Sequence, residues 1–568
     1  MSYLNIKADK TVTYDAIVIG SGISGGWAAK ELCEGGLKTL VLERGRIVEH
    51  QKDYPGNFDD PWDMEFRGAL SPEDRQKHKY TARAGFVWQG NKHFFADDQA
   101  NPYTETKPFT WARGHQMGGR SLVWGRQTYR WSDLDFEANA KDGYGVDWPI
   151  RYKDIEPWYD YVEKFAGISG EALGLPHLPD SQFLPPMELN CVEKHVKKRL
   201  EKEYPGRYLT IGRVAHVTKA LNGRGPCQYF SRCDRGCPFG AYFSSNAVTL
   251  PAAGATGNLT IRPYSIVHSI IYDDSLGKAT GVRVIDAQTH EVIEYKARIV
   301  FCNASTLSST HILLNSTSAR FPNGLGNDSG ELGHNLMDHT YRVGAIGKID
   351  GFEDKYYSGR RPNGIYIPRY VNLDANTATD KFVRGFGFQG GAYRESWDAG
   401  TNAPGFGADF KESLFKPGDW SFFITGFAEC LPYHDNKVTL DHDTLDAWGQ
   451  PVLNIDCEFK DNEKAMNRQI RADAAEMLNT LGFRDIVDFD NDHVPGHGVH
   501  EMGTARMGRD PDTSVLNGTN QVHAVPNVFV TDGACMTSSS CVNPSLTYMA
   551  ITARAAHHAV QELKKGNL

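Results

Sequence analysis

The chain of 568 residues is short of cysteine, of long apolar runs and of positive charge. Ten cysteines in that length are too few for a disulfide scaffold. Seven of them stand singly in apolar or mixed contexts (Cys33, Cys191, Cys302, Cys430, Cys457, Cys535 and Cys541) and read as inert core residues. No apolar run approaches the roughly 18 residues of a membrane span, so no transmembrane segment is expected. Lys and Arg number 61 against 70 Asp and Glu, and a net charge of -9 with a pI near 6.1 leaves no basic field for nucleic acid. The opening residues, Met1 to Lys10, lack the apolar stretch of a secretory signal, so no export address of its own is expected. Internal repeats and low-complexity linkers are missing too, which predicts domains interleaved in one body. At about 150 residues per domain, the length suggests three or four structural units.

What the chain has is glycine in two informative clusters. The first lies in Tyr14-Asp-Ala-Ile-Val-Ile-Gly20-Ser21-Gly22-Ile-Ser24-Gly25, followed by an Ala-rich turn of helix and by Leu37-Lys-Thr-Leu-Val-Leu-Glu43-Arg44. It reads as strand, tight turn, helix, strand and acid. Gly20 permits the turn, Gly22 admits a pyrophosphate, and Gly25 lets helix pack on strand. Glu43, at the end of the second strand, stands where an acid accepts hydrogen bonds from a ribose; Ser21, Ser24 and Arg44 are assigned to the cofactor with it. A glycine-rich surface loop is the bland alternative, and the flanking strands and acid favour the nucleotide. Glu in place of Arg points to NAD or FAD and away from NADP.

The second cluster is Arg113-Gly114-His-Gln-Met-Gly118-Gly119-Arg120-Ser121-Leu-Val123-Trp124, whose glycines let backbone approach a planar ring. Together the two clusters resemble the glucose-methanol-choline (GMC) oxidoreductase family, in which an Arg-Gly-x-x-x-Gly-Gly-x-Ser element lies against a flavin. The resemblance spans nearly the whole chain and implies FAD, with Arg113, Gly118, Gly119, Ser121 and Trp124 near it. Val123 occupies the place of the His that tethers flavin in some relatives, so FAD is expected to bind non-covalently. It also implies that Val267 meets adenine through its backbone.

The fold class implied is α/β. A Rossmann-like FAD domain, discontinuous over 1–45, 110–150, 205–340 and 495–568, would be interleaved with an α+β substrate domain at 341–494, built on an antiparallel sheet. Residues 46–109 read as an irregular excursion or lid. Residues 151–204 form a helical connector in which 190–204 is an amphipathic helix with no catalytic implication.

Near the C-terminus, His500-Glu-Met-Gly503-Thr504, Thr531-Asp532-Gly533 and Asn543-Pro544-Ser-Leu-Thr547 match GMC motifs. Oxidising an alcohol by hydride transfer requires removal of the hydroxyl proton, and a neutral imidazole suits that task. His500 is the expected base. Asn543 would hold the same oxygen and orient the C–H bond towards flavin N5. Pro544 suits the first turn of a helix whose positive end would face the flavin. Asp532 and Gly533 are expected near the ribityl or pyrophosphate group, with a turn cap as the plain alternative for Asp532. His493 and His497 are left unassigned.

The remaining cysteines, Cys227, Cys233 and Cys237, share one Gly/Pro-rich loop at 225–241 with spacings of six and four. Soft thiolates at that density favour zinc or iron-sulfur, and a zinc site would find only Asp234 nearby as a fourth ligand. The spacing resembles that of the catalytic subunits of bacterial multi-subunit flavin dehydrogenases, which implies a 3Fe-4S cluster on these three residues. Buried thiols, or a disulfide with one spare, are the bland alternative.

The resemblance implies a sugar or glycoside substrate, with the glucoside 3-dehydrogenase type nearest in look and a pyranose C3 hydroxyl the expected target. Its glucose 1-dehydrogenase and gluconate 2-dehydrogenase types are alternatives. A cytochrome c-type acceptor and a small subunit carrying the export signal are expected partners, giving a periplasmic location; the cytoplasm is the alternative. An oxygen-using GMC oxidase and a GMC-type lyase are the rivals.

Overall fold

The computed structural model describes residues 3–355, 362–394, 405–415 and 418–568. The expectations for Met1 and Ser2, and for the parts of 341–494 between those ranges, lie outside the described residues.

The first sheet is built on five mutually parallel strands. They run in the order Val525–Val530, Val292–Cys302, Thr13–Ile19, Thr39–Leu42 and Leu259–Arg262. Ile17, Val18, Leu40, Val41 and Val300 have no exposed surface, as strands covered on both faces require. Each such aliphatic side chain contributes roughly 1.5–3 kcal/mol by leaving water. The antiparallel hairpin Ser265–Asp273 and Lys278–Asp286 extends this sheet from Val292–Cys302. Helix Ile23–Glu34 covers one face and meets the last helix, Ser545–Lys565, through small side chains including Ala28, Ala29, Ala555, Ala556 and Ala559.

The register brings Ile19 beside both Leu42 and Cys302, so the strand ends carrying Gly20, Glu43 and Asn303 sit side by side. That crevice, at the carboxyl ends of parallel strands, is where such folds bind dinucleotides.

A six-stranded antiparallel sheet stands beside it. Its order is Arg484–Asp490, Thr340–Ile349, Trp420–Ala428, Phe386–Arg394, Ile365–Ile367 and Thr210–Ile211. Alternation in Trp420–Ala428 sends Phe422 and Ile424 into the core shared with helix Asp461–Thr480, while Phe423, Thr425 and Phe427 face a cavity. Trp420 is buried in the core.

Two placements differ from the sequence reading. Thr210–Ile211, from the range expected in the FAD domain, joins the antiparallel sheet. The hairpin Lys437–Leu445 and Pro451–Asp456 leaves that sheet and pairs with Thr104–Glu105 of the excursion. Six of the seven single cysteines are buried, as expected, whereas Cys191 is half-buried at the start of helix Cys191–Glu203.

Candidate active site

A cavity of about 1540 Å³ runs from the crevice to the inner face of the antiparallel sheet. It is larger than a typical single-ligand pocket, as a dinucleotide and a substrate together require. Gly20, Ser21, Gly22, Ser24, Glu43, Arg44, Arg113, Gly119, Ser121, Trp124, Val267, Asp532, Gly533, His500 and Asn543 all line it. Gly25, Gly118 and Pro544 do not line it. A Cβ on Gly25 would lie 2.0 Å from the Gly20 carbonyl oxygen, whereas one on Gly22 would meet no atom within 4 Å on the cavity side of the turn. This is the cradle a pyrophosphate needs, and the residues present fit FAD.

The two glycine clusters are tied together. Ser21 Oγ donates to Glu43 Oε2 and accepts from Gly118 N–H at 2.9 Å. Gly45 N–H donates to the other Glu43 oxygen at 2.9 Å. Burial pushes the Glu43 carboxyl above its usual range. Arg44 donates to Asn101 at 2.8 Å and pairs with Asp446 at 3.2 Å, and Arg113 pairs with Asp98 at 2.6 Å. Trp124 donates its indole N–H to the Phe243 carbonyl at 2.9 Å. Asp532 accepts from Ser309 Oγ at 2.6 Å and from Ala534 N–H at 3.0 Å, capping the short turn Gly533–Cys535 while facing the cavity. Burial pushes its carboxyl up to about 6.

At the far end His500 and Asn543 meet, with Asn543 Nδ2 3.2 Å from His500 Nε2. His500 Nδ1 lies 2.9 Å from His339 Nδ1, and His339 Nε2 contacts the Ser540 carbonyl oxygen. These partners fix the protons. A carbonyl only accepts, so His339 carries its proton on Nε2. Burial pushes His339 down to about 4, so it is neutral and its Nδ1 accepts from His500 Nδ1–H. His500 is held well below its ordinary value by burial first, then by His339 and Arg120. Its Nε2 therefore keeps a lone pair facing the cavity, towards which Asn543 donates. Gln389 Nε2 donates to Asn543 Oδ1 at 2.6 Å, so the amide cannot turn over without losing both bonds. Every hydrogen bond from Gln389 to Ser540 points the same way, and the lone pair at Nε2 is the basic end an alcohol proton requires.

Two members of the hydrogen-bond chain, His339 and Gln389, are absent from the sequence reading, as are two cavity-lining residues, Asn190 and Glu193, which form the capping box of helix Cys191–Glu203. The last two belong to the helix read as non-catalytic. Phe423 and Phe427 line it as well, but His493 and His497 do not. Those two rings stack at 3.6 Å beside the cavity residue Phe86, which lies 5.1 Å from His497.

The cysteine loop abuts the same cavity through Ser231 and Asp234, although its cysteines do not line it. Asp234 accepts the Trp88 indole N–H at 2.6 Å, so its carboxylate already has a partner other than a metal. Burial pushes the Cys227 thiol up to about 11, with Cys233 and Cys237 adding to the shift. Tyr229 N–H points to Cys227 Sγ at 3.5 Å and Ala241 N–H to Cys237 Sγ at 3.3 Å. His216, absent from the sequence reading, brings Nε2 to 3.9 Å from Cys233 Sγ. Among the described residues, no three His, Cys, Asp or Glu side chains gather closely enough for a single metal ion. Backbone N–H groups thus point at two of the three sulfurs, as they do at ligating thiolates.

The N-terminal GMC oxidoreductase family model matches residues 14–341 and the C-terminal one residues 432–552. The chain belongs to the GMC oxidoreductase family, FAD-dependent enzymes that oxidise sugars and alcohols as dehydrogenases or oxidases. A 2-methyl-1,2-propanediol dehydrogenase of Mycolicibacterium austroafricanum is 29% identical, over 98% of this chain and 96% of that protein. The fructose dehydrogenase large subunit of Gluconobacter japonicus is 24% identical over 98% and 100%. A solved structure of an Aspergillus oryzae RIB40 formate oxidase variant superposes with a TM-score of 0.62 at 16% identity, covering 99% of this chain and 100% of that one, a likeness of fold. Among the described residues, no helix is long and apolar enough to cross a membrane.

Proposed function

We propose that the chain is the catalytic subunit of a sugar dehydrogenase that oxidises a secondary hydroxyl of a glucoside or related pyranose at C3, giving a 3-keto sugar. The observation that carries this is the hydrogen-bond chain through His500, which sets its Nε2 lone pair towards the cavity. Asn190, Asn363, Gln389 and Arg394 line that cavity, and a polyhydroxylated ring needs such donors and acceptors. Phe423 and Phe427 offer ring faces beside them. The choice of C3 rests on the resemblance of the glycine and cysteine motifs to the glucoside 3-dehydrogenase type.

FAD, when bound in the cradle, supplies the hydride acceptor. His500 Nε2 takes the hydroxyl proton as the C–H bond breaks, and the charge formed on the imidazole is shared through Nδ1–H with His339. Asn543 Nδ2–H holds the alcohol oxygen, and Gln389 keeps that amide facing the right way.

Cys227, Cys233 and Cys237 would hold a 3Fe-4S cluster, which passes electrons singly to a cytochrome c-type acceptor. Support for a protein acceptor comes from the aromatic surface around the loop. Phe58, Phe230 and Phe239 are exposed, with rings 5.6 and 6.1 Å apart in sequence along the patch. A relative named as a large subunit supports a multi-subunit assembly. A small partner carrying the export signal would take the folded chain to the periplasm.

The test is low-temperature EPR with an iron count on anaerobically purified protein, before and after addition of an alkyl glucoside. A three-iron signal that disappears with the glucoside is expected. Iron-free protein whose flavin still bleaches, and which forms hydrogen peroxide at the rate of dye reduction, would make the chain an oxygen-using oxidase.

A further inference from the structure

Asp338 is fully buried and directly precedes His339. Its Oδ2 accepts the backbone N–H of Gly496 at 2.8 Å and of Gly498 at 2.9 Å; its Oδ1 accepts that of His500 at 3.0 Å. The three donors are alternate residues of one segment, and that segment ends on the base. Val499, between the last two, has a φ of +54°, a left-handed conformation that a β-branched residue rarely adopts. Strain of this kind persists only where the surroundings over-determine it. A Cβ on Gly498 would lie 2.7 Å from Asp338 Oδ1, so the approach requires glycine. Arg120 assists from the other side, donating to the Val499 carbonyl at 3.3 Å while pairing with Glu501 at 2.6 Å.

We propose that Asp338 is a positioning residue for the reaction: its carboxyl oxygens clamp the strained 496–500 segment and so aim the His500 ring. The inference rests on the reading of His500 as the base. The charged and titratable groups around that ring are His339 on the neighbouring strand start, Arg120 from the second glycine cluster, and Asp338 and Glu501. Burial, with Glu501 adding to it, pushes the Asp338 carboxyl up to about 7, so the clamp acts through its three backbone hydrogen bonds and not through a fixed charge.

The test uses the FAD-loaded protein and methyl glucoside in anaerobic stopped flow. Asp338→Asn puts an NH2 group against backbone donors. Its limiting rate of flavin reduction should fall on the order of 10²-fold with KM nearly unchanged. FAD content and Tm should hold, which a purely structural role would not predict alongside the rate loss. Gly498→Ala attacks the same clamp from the segment side and should give the same pattern if Asp338→Asn does not fold. Val499→Gly in the Asp338→Asn background should recover part of the rate, since glycine tolerates the left-handed backbone without the clamp. Asp338→Asn and Gly498→Ala at wild-type rates would overturn the inference. A His500→Ala protein that stays fully active would instead overturn the reading beneath it.

Discussion

His339 Nδ1 lies 2.9 Å from His500 Nδ1, and the Ser540 carbonyl at the far side of His339 decides which of the two rings donates. Without His339, the His500 ring can place its proton on Nε2 and lose its basic face. His339→Leu should lower kcat by about 10- to 100-fold with little change in KM. His339→Asn, which keeps a carbonyl acceptor near Nδ1–H, should lose less. Steady-state kinetics on the two variants check this; equal losses would show that the second ring serves packing alone.

His500 is held well below its ordinary value by burial first, so the imidazole stays neutral as pH falls through 6.5. The base form is present above its pKa and lost below it. The kcat/KM profile should therefore remain flat through pH 6.5 and turn down only at more acid pH. A limb at or above 6.5 would mean that the base is exposed in the working enzyme. His500→Ala should cost about 10²- to 10⁴-fold in kcat.

The Gln389 bond to Asn543, at 2.6 Å, holds the amide that we propose binds the alcohol oxygen. Gln389→Leu leaves Asn543 Oδ1 without its donor and lets the amide turn over. The cost should be about 1–3 kcal/mol in transition-state stabilisation, read as a fall in kcat/KM. Asn543→Asp should be more damaging, since an acceptor then faces the alkoxide-like oxygen. An unchanged kcat/KM in Gln389→Leu would show that Asn543 is fixed by other contacts.

Cys233→Ser should abolish the iron signal and electron delivery to a one-electron acceptor while leaving flavin reduction by substrate intact. Metal analysis together with stopped flow separates the two. Loss of flavin reduction as well would mean that the loop, through Ser231 and Asp234 at the cavity wall, shapes the substrate site itself.

The parts legible in the sequence are those written in contiguous motifs. Gly20 and Gly25 announce the turn because backbone geometry forces their residue type, and the last helix follows from Pro544 and the spacing of Leu546, Met549, Ala553 and Ala556. His339 and Gln389 could not be read that way. Each reaches the site on an element of the antiparallel sheet, 161 residues from His500 in one case and 154 from Asn543 in the other. Their residue types answer to partners that only the fold supplies. His216 is similar: it reaches Cys233 across 17 residues of irregular chain whose path no periodicity records.

The most direct test of the whole account is anaerobic flavin reduction by methyl glucoside deuterated at C3, compared with the unlabelled sugar and with sugar deuterated elsewhere on the ring. Unlabelled methyl glucoside should bleach the flavin, deuterium at C3 alone should slow the bleaching, and a 3-keto product should accumulate. A flavin that no glycoside bleaches, or an isotope effect from another ring position, would contradict it.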